Sequence, residues 1–308
     1  MDKFKLLTEN FEKYSALLGK EASFRLCHGE LAGMESLYID YLAGIFVVEI
    51  KEEIHAETLE ELYSFFKNSL KAKAIYLLDR KNKGQYLKYK KLFVEDEARP
   101  QRVLENGLKY NVFFDRGFHY GLFLDQRMNR DFILQKIKAQ SCLNLFAYTC
   151  AFSVLAASLG ARCTSVDMSQ AYLNKGKENF ALNSLDPTKH SFFKDDVRDF
   201  LKRAQKKKRL YDLIVCDPPT FAHGPKKSFK FTNEASDLLL KCFSLLNEGA
   251  FMLFSHNCQS FEEFDLLAWL PEDEYRLHDF CYPSDFGGEE SIDRISQGFW
   301  LEKIKHST

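Results

Sequence analysis

The chain has 308 residues, 45% of them hydrophobic and 28% charged, with a formal net charge of −1 at pH 7. That length suggests about two domains, and the charge balance excludes recognition of nucleic acid by bulk basicity, leaving only local basic patches for it. None of the eight cysteines is spaced as C-x-x-C, so no metal site is expected, and MDKFKLLTENFEKYSALL at the start lacks the apolar stretch of a secretory signal, so a cytoplasmic protein with reduced thiols is expected.

In chain order, the first third reads as a small α+β domain, residues 1–105. Short strands are expected at SFRLC (23–27), SLYID (36–40), GIFVVEI (44–50) and AIYLLD (74–79). A helix is expected over AETLEELYSFFKNSL, where Leu59, Leu62, Phe65, Phe66 and Leu70 recur at helical spacing. VEDEARPQ (94–101) reads as a linker. RVLENGLKYNVFF (102–114) is a hairpin candidate, because Asn106-Gly107 supplies the positive φ angles of a two-residue turn.

From there the pattern becomes strand alternating with helix, residues 106–308 forming one domain. Helix LDQRMNRDFILQKI is followed by strand SCLNLF and helix AFSVLAASL. Strand RCTSVD precedes helix SQAYLNKGKENFALN, strand HSFFKDD precedes helix VRDFLKRAQKK, and strand YDLIVCD precedes helix NEASDLLLKCFSLL and strand AFMLFSH. The strands are continuously apolar, as strands buried on both faces are. This predicts an α/β fold with a doubly wound, Rossmann-like parallel sheet. LNLFAYTCAFSVLAASLGA (143–161) approaches membrane length, but Asn144, Thr149, Ser153 and Ser158 interrupt it and strand-turn-helix fits better, so no membrane span is expected.

Three strand ends carry chemistry. Asp167 ends the second strand of the sheet about 20 residues after the first strand's turn, the spacing that sets a carboxylate on a ribose diol. No glycine lies between Ser141 and Leu159, so a pyrophosphate has no cradle and NAD or FAD is disfavoured. A nucleoside without phosphates still fits, and S-adenosylmethionine is that ligand. At KDDVRDF, Asp195 or Asp196 can accept from an adenine amine while the other caps the next helix. At DPPTF, Asp217 leaves the carboxyl end of a strand, where open α/β sheets bind ligands. Pro218 and Pro219 then stiffen a carbonyl-lined spur, and Phe221 can stack on a flat base.

These residues make the chain similar to class I S-adenosylmethionine-dependent methyltransferases. It resembles in particular the large-subunit ribosomal RNA methyltransferases that make 5-methylcytosine or 7-methylguanine. FRLCHGELAGMESLYID, ENGLKYNVFF, GLFLDQRMNR, LNLFAYTCAFSVLAA, SVDMSQAYLNKGKENFALN, KDDVRDFL, YDLIVCDPPTF and ISQGFWLEKI carry the likeness. The resemblance implies a seven-stranded sheet whose last strand runs antiparallel, and a preceding domain that helps present RNA. The cytosine-modifying relatives usually carry a further amino-terminal PUA-type domain, for which this chain is expected to be too short at its start. It implies Phe123, Asp125 and Arg127 near the methionine end of the cofactor, although Asp125 and Arg127 can equally serve a helix start. It implies Asn144, Phe146, Ala147 and Tyr148 around the cofactor, and Asp167 and Met168 at its ribose and base. Asn183 either braces the adenine side or ends a helix. The family usually has glycine where this chain has Cys150, whose side chain is expected to crowd the methionine moiety. That crowding, together with the missing nucleophile, raises the alternative of a non-catalytic RNA-binding relative; a protein-directed methyltransferase is a weaker one.

Methylating carbon-5 of a pyrimidine requires a thiolate adding to carbon-6. In LFSHNCQSF, His256 stands where the cytosine-modifying relatives have that cysteine, and Cys258 follows two residues later, as nucleophile or inert thiol. Guanine N7 needs only orientation, and DPPTF with FSHN favours it. RNA backbone contacts are expected from Lys88 and Lys90 in KNKGQYLKYKK and from Lys226, Lys227 and Lys230, with Phe229 stacking, in HGPKKSFK; KRAQKKKR (202–209) is a further basic run that can contact RNA or simply suit its helix C-terminus. The oligomeric state is not legible.

Overall fold

The computed structural model describes residues 4–19, 21–29, 36–81, 88–96, 101–115, 119–222, 228–258, 264–287 and 296–304. Two compact units result: Met1–Leu124 with Pro283–Ser291, and Asp125–Tyr282 with Ile292–Thr308. The expected boundary after residue 105 falls inside the first unit, at the turn of a hairpin whose Leu104 amide donates to the Glu21 carbonyl. A paired hairpin cannot be divided without breaking its ladder, and the boundary lies beyond it, between Leu124 and Asp125.

The first unit runs α1 (Lys5–Leu18), β1 (Ser23–His28), β2 (Leu37–Leu42), β3 (Ile45–Ile50), α2 (Ala56–Asn68), β4 (Ala74–Asp79), β5 (Tyr89–Val94), β6 (Arg102–Glu105) and β7 (Leu108–Asn111). Strands β1 to β5 form one sheet in that order, with β3 and β4 parallel across the α2 crossover. Helix α2 buries Leu62 and Phe66, and Phe66 stacks on Phe46 at 4.5 Å. In the β6–β7 turn, Asn106 and Gly107 both take positive φ, as that dipeptide implies. Helix α1 and edge strand β5 have no counterpart in the sequence expectations. The returning segment joins this unit through Asp285, whose carboxylate accepts the Arg25 amide at 2.7 Å, while the Arg25 side chain pairs with buried Asp40.

The second unit runs α3 (Arg127–Lys136), β8 (Ser141–Leu145), α4 (Ala151–Ser158), β9 (Arg162–Asp167), α5 (Gln170–Leu182), β10 (Ser191–Lys194), α6 (Val197–Lys206) and β11 (Tyr211–Cys216). It continues through the short hairpin β12 (Phe221–Ala222) and β13 (Phe229–Lys230), then α7 (Phe231–Ser244), β14 (Leu246–His256), α8 (Phe264–Leu267), β15 (Tyr275–His278) and β16 (Gln297–Lys303). The seven-stranded sheet has order β10-β9-β8-β11-β14-β16-β15. Its first five strands are parallel, and β16 runs antiparallel between β14 and β15. The order reverses between β8 and β11, which is the topological switch where such sheets bind ligands. Val215, Cys216, Leu213 and Ile214 of β11 are wholly buried, as a central strand covered on both faces must be. Among the described residues no helix is long and apolar enough to cross a membrane, and no cluster of metal-ligating side chains is found.

Candidate active site

Strands β8, β9 and β11 deliver their carboxyl ends side by side, so the loops that follow them form the site. The β8–α4 loop departs from its glycine-free sequence: Phe146, Tyr148 and Cys150 all take left-handed φ, 55°, 49° and 62°. Such conformations cost about 1 kcal/mol or more each for residues with a Cβ, and they persist where the surroundings fix them. Three bonds do so here. The Ala147 amide donates to the Val166 carbonyl, the Tyr148 amide to Asp167 Oδ2 at 2.9 Å, and Asn179 Nδ2 on α5 to the Thr149 carbonyl at 3.1 Å.

The Cys150 side chain, expected to crowd the methionine moiety, packs against α5 instead. It is wholly buried and turned into α5, where a Cβ on Gly176 would lie 2.5 Å from Sγ. The isolated glycine in NKGKENF is therefore the complement of the missing one at 150. Burial pushes the Cys150 thiol up to about 12, so it is protonated and inert.

Asp167 Oδ1 also accepts the Ser169 amide at 2.7 Å, and burial raises the carboxyl above its ordinary value against those two bonds. The carboxylate sits half-buried at the tip of β9, where a ribose diol can reach its remaining lone pairs. Exposed Met168 shares a cleft of about 410 Å³ with Asp195 and Asp196. Asp196 is the helix cap: it accepts the Arg198 amide and pairs with the Arg198 guanidinium at 2.6 Å, which holds it below the usual carboxylate range. Asp195 accepts the Asp196 amide and pairs with Arg203. Asn183 ends α5 and donates to the Asn179 carbonyl, so it acts as a cap. Asn144, expected around the cofactor, is buried and donates to Ser153, which bonds Ser165 in turn. Phe146, Ala147, Tyr148, Asp167, Met168 and Asp195 are thus gathered at one end of the sheet.

The ledge after β11 is held from β14. Ser255 Oγ donates to Asp217 Oδ1 at 2.6 Å, and Asn257 Oδ1 accepts both the Thr220 amide and hydroxyl, at 3.2 and 2.6 Å. Burial pushes the Asp217 carboxyl up to about 6, Ser255 opposes the shift, the Asp125 charge adds to it, and Arg130 opposes it. Among the described residues, Asp217 Oδ2 accepts no hydrogen bond. Phe221 is 51% exposed beside this spur. Alternation along β14 sends the intervening residues the other way. His256 is buried against Phe231, at 4.5 Å between rings, and burial lowers its pKa to about 4. Cys258, 4% exposed, lies in the hydrophobic core, its amide donating to His256 Nδ1.

Asp125 and Arg127 are buried at the start of α3, with Arg130 over the Phe152 ring at 5.4 Å. The sequence singled out Arg127 and missed Arg130, which lies one helical turn on and whose charge reaches Asp217. Phe123 is exposed in the first unit and stacks on His119 at 4.2 Å. Phe229 offers no face to a base: it is buried, packed on Phe146 at 5.5 Å between centroids. It alternates in β13 with Lys230, which is exposed, as are Lys88 and Lys90. Lys226 and Lys227 lie outside the described residues.

Comparison with known proteins adds the following. A family model described as S-adenosylmethionine-dependent methyltransferase matches residues 24–269. The chain is 32% identical over 295 residues to the "Putative ribosomal RNA large subunit methyltransferase YwbD" of Bacillus subtilis, covering 92% of this chain and 74% of that one. It is 30% identical over 261 residues to the ribosomal RNA large subunit methyltransferase I of Aeromonas salmonicida, covering 81% of this chain and 64% of that one. Against the crystal structure of SMU.776 complexed with SAH, the TM-score is 0.84 at 26% identity, over 97% of this chain and 80% of that one.

Proposed function

The chain belongs to the S-adenosylmethionine-dependent methyltransferases, and on that premise we propose that it methylates a base of large-subunit ribosomal RNA, at guanine N7 rather than cytosine C5. S-adenosylmethionine is its cofactor and supplies an electrophilic methyl group on a sulfonium. The names of its relatives support the RNA; the ledge supports the base. Asp167 takes the ribose diol, with Asp195 and Met168 at the adenine. Asp217 Oδ2 accepts an N–H on the edge of the target base, Pro218 and Pro219 keep the ledge stiff, and Phe221 stacks on its face. In-line transfer then needs orientation and exclusion of water from the reacting atoms, with no proton withdrawn before the methyl moves. Lys230 holds a phosphate beside the ledge, and Lys88 and Lys90 are further exposed lysines that can attract RNA.

The burial of Cys258 on the face of the chain opposite Ser255 and Asn257 carries the preference for guanine N7. A ring nitrogen with its own lone pair needs no thiolate. The non-catalytic alternative was motivated by Cys150 and by the missing nucleophile; the Cys150 side chain packs into α5, and a transfer to guanine N7 needs no nucleophile.

Labelled-methyl transfer from S-adenosylmethionine to protein-free large-subunit ribosomal RNA tests the reading. The Cys258→Ser enzyme is expected to keep activity within about three-fold, while Asp217→Ala loses about 100-fold or more. Loss of transfer in Cys258→Ser, with cofactor binding intact, would redirect the assignment to cytosine C5.

A further inference from the structure

The tip of β14 touches the ledge at two alternate residues, and neither is a ledge residue itself. Ser255 is wholly buried and reaches Asp217 Oδ1 at 2.6 Å. Asn257 takes both donors of Thr220 on one oxygen, 3.2 Å from the amide and 2.6 Å from the hydroxyl. The ledge is thereby gripped at its first and fourth residues, on either side of the two prolines. Proline has no amide hydrogen, so Pro218 and Pro219 cannot anchor themselves by donation to a neighbouring strand. The Thr220 carbonyl adds one more tie, accepting the Phe231 amide at 3.0 Å. The alternation of the strand makes the grip possible: Ser255 and Asn257 face the ledge, and His256 with Cys258 face the core.

We propose that Ser255 and Asn257 are positioning residues for methyl transfer: Ser255 turns Asp217 so that Oδ2 faces the substrate, and Asn257 fixes the height of the ledge through Thr220. The role rests on the methyltransferase reading above but not on which base is modified. A carboxylate free to rotate about its χ2 would spread its acceptor over both oxygens, and misplacement of a reacting group by about 1 Å can cost about 100-fold in rate. The two ties are unequal in kind. Ser255 stabilises the charged form of Asp217, so its loss changes the titration of the carboxyl, among the same facing groups, Asp125 ahead of α3 and Arg130 within it. Asn257 bonds only neutral groups, so its loss changes geometry alone.

The test uses Ser255→Ala, Ser255→Thr and Asn257→Ala in the full chain. S-adenosylhomocysteine binding serves as the check on folding and is expected to stay within about two-fold of the parent in all three. With protein-free large-subunit ribosomal RNA as acceptor, Ser255→Ala is expected to lower kcat about 10- to 100-fold with KM within about two-fold. Its acid limb should move to higher pH, and Ser255→Thr, which keeps the hydroxyl, should restore both. Asn257→Ala is expected to lower kcat about 5- to 10-fold with the acid limb unmoved. Independently of RNA, the carbon-13 carboxyl signal of Asp217, identified by its disappearance in Asp217→Asn, should titrate at higher pH in Ser255→Ala than in the parent. An unmoved carboxyl titration in Ser255→Ala overturns the proposal. So does a kcat within two-fold of the parent. Absence of methyl transfer by the parent itself counts against the RNA substrate, and the carboxyl titration then decides the role of Ser255 alone.

Discussion

Asp217 is held near a pKa of about 6, while an aspartate in an unfolded chain ionises near ~3.9. Between those values the folded chain binds a proton that the unfolded one has released. Stability therefore falls as pH rises from ~4 to about 6 and stays lower above it. Asp217→Asn removes that cost, and it is expected to stabilise the protein by about 1–3 kcal/mol at pH 8 and by little at pH 4. Denaturant titrations at the two pH values measure it. The same substitution should abolish methyl transfer, the trade expected of a side chain kept for function. In the parent, activity should fall as pH drops through about 6, because a proton on Oδ2 removes the acceptor offered to the substrate. Cys150 and Gly176 form a different kind of pair, related by volume. Gly176→Ala places a methyl 2.5 Å from Cys150 Sγ and is expected to cost about 1–3 kcal/mol. In a Cys150→Gly background most of that cost should vanish, and a double-mutant cycle reads the difference. These residues also mark how far the sequence could be read. The placement of Asp167 and Asp217 at the carboxyl ends of β9 and β11 was legible because each closes a continuously apolar run. Asn144 and Phe229 were misread because their types suit a site, while only the register of β8 and β13 shows that they point inward. The three left-handed residues at 146, 148 and 150 were invisible, since no glycine announces them.

A single strand, β11, carries an acid at each end, and the two have opposite effects. At its start, Asp212 ties three strands together. Oδ2 accepts the Gln140 amide, the Ser141 amide and the Ser141 hydroxyl, at 3.0, 2.9 and 2.9 Å, and Oδ1 accepts from Asn247 at 2.7 Å. Burial pushes this carboxyl up, but those bonds outweigh it and the net shift is downward. A depressed pKa stabilises the fold above the unfolded value and loses that contribution as pH falls through the folded one. Asp212→Asn should therefore destabilise at neutral pH, where Asp217→Asn stabilises, by about 1–3 kcal/mol. The amino end of β11 thus carries a stabilising acid, while the carboxyl end lies where open α/β sheets bind ligands. The adjoining β14–β16 pair carries a steric constraint. Gly298 lies opposite Ser255, and a Cβ there would stand 2.2 Å from the Phe254 carbonyl oxygen. Gly298→Ala is expected to cost more than about 2 kcal/mol and to lower methyl transfer by shifting Ser255; thermal melts and initial rates read both. Most of the elements themselves were legible from period and run length. Strand β5 was not, because YKKLFV carries its lysines on an edge where they hide the alternation of a strand. Helix α1 was passed over because mixed charges around Leu7 and Tyr14 weaken its apolar stripe.

At the scale of the whole chain, near-zero net charge leaves RNA attraction to local lysines. Lys88 and Lys90 stand exposed at the edge of the first unit's sheet, and Lys230 stands beside the ledge of the second. Reversing Lys88 and Lys90 to glutamate is expected to raise KM for RNA about ten-fold with S-adenosylhomocysteine affinity unchanged, and to flatten the salt dependence of that KM. The most direct measurement maps modified nucleosides in large-subunit ribosomal RNA by mass spectrometry, from cells with the gene, without it, and complemented by parent, Cys258→Ser or Asp217→Ala. The account predicts one 7-methylguanosine lost on deletion, restored by the parent and by Cys258→Ser, and not by Asp217→Ala. An RNA methylation pattern identical with and without the gene would contradict it.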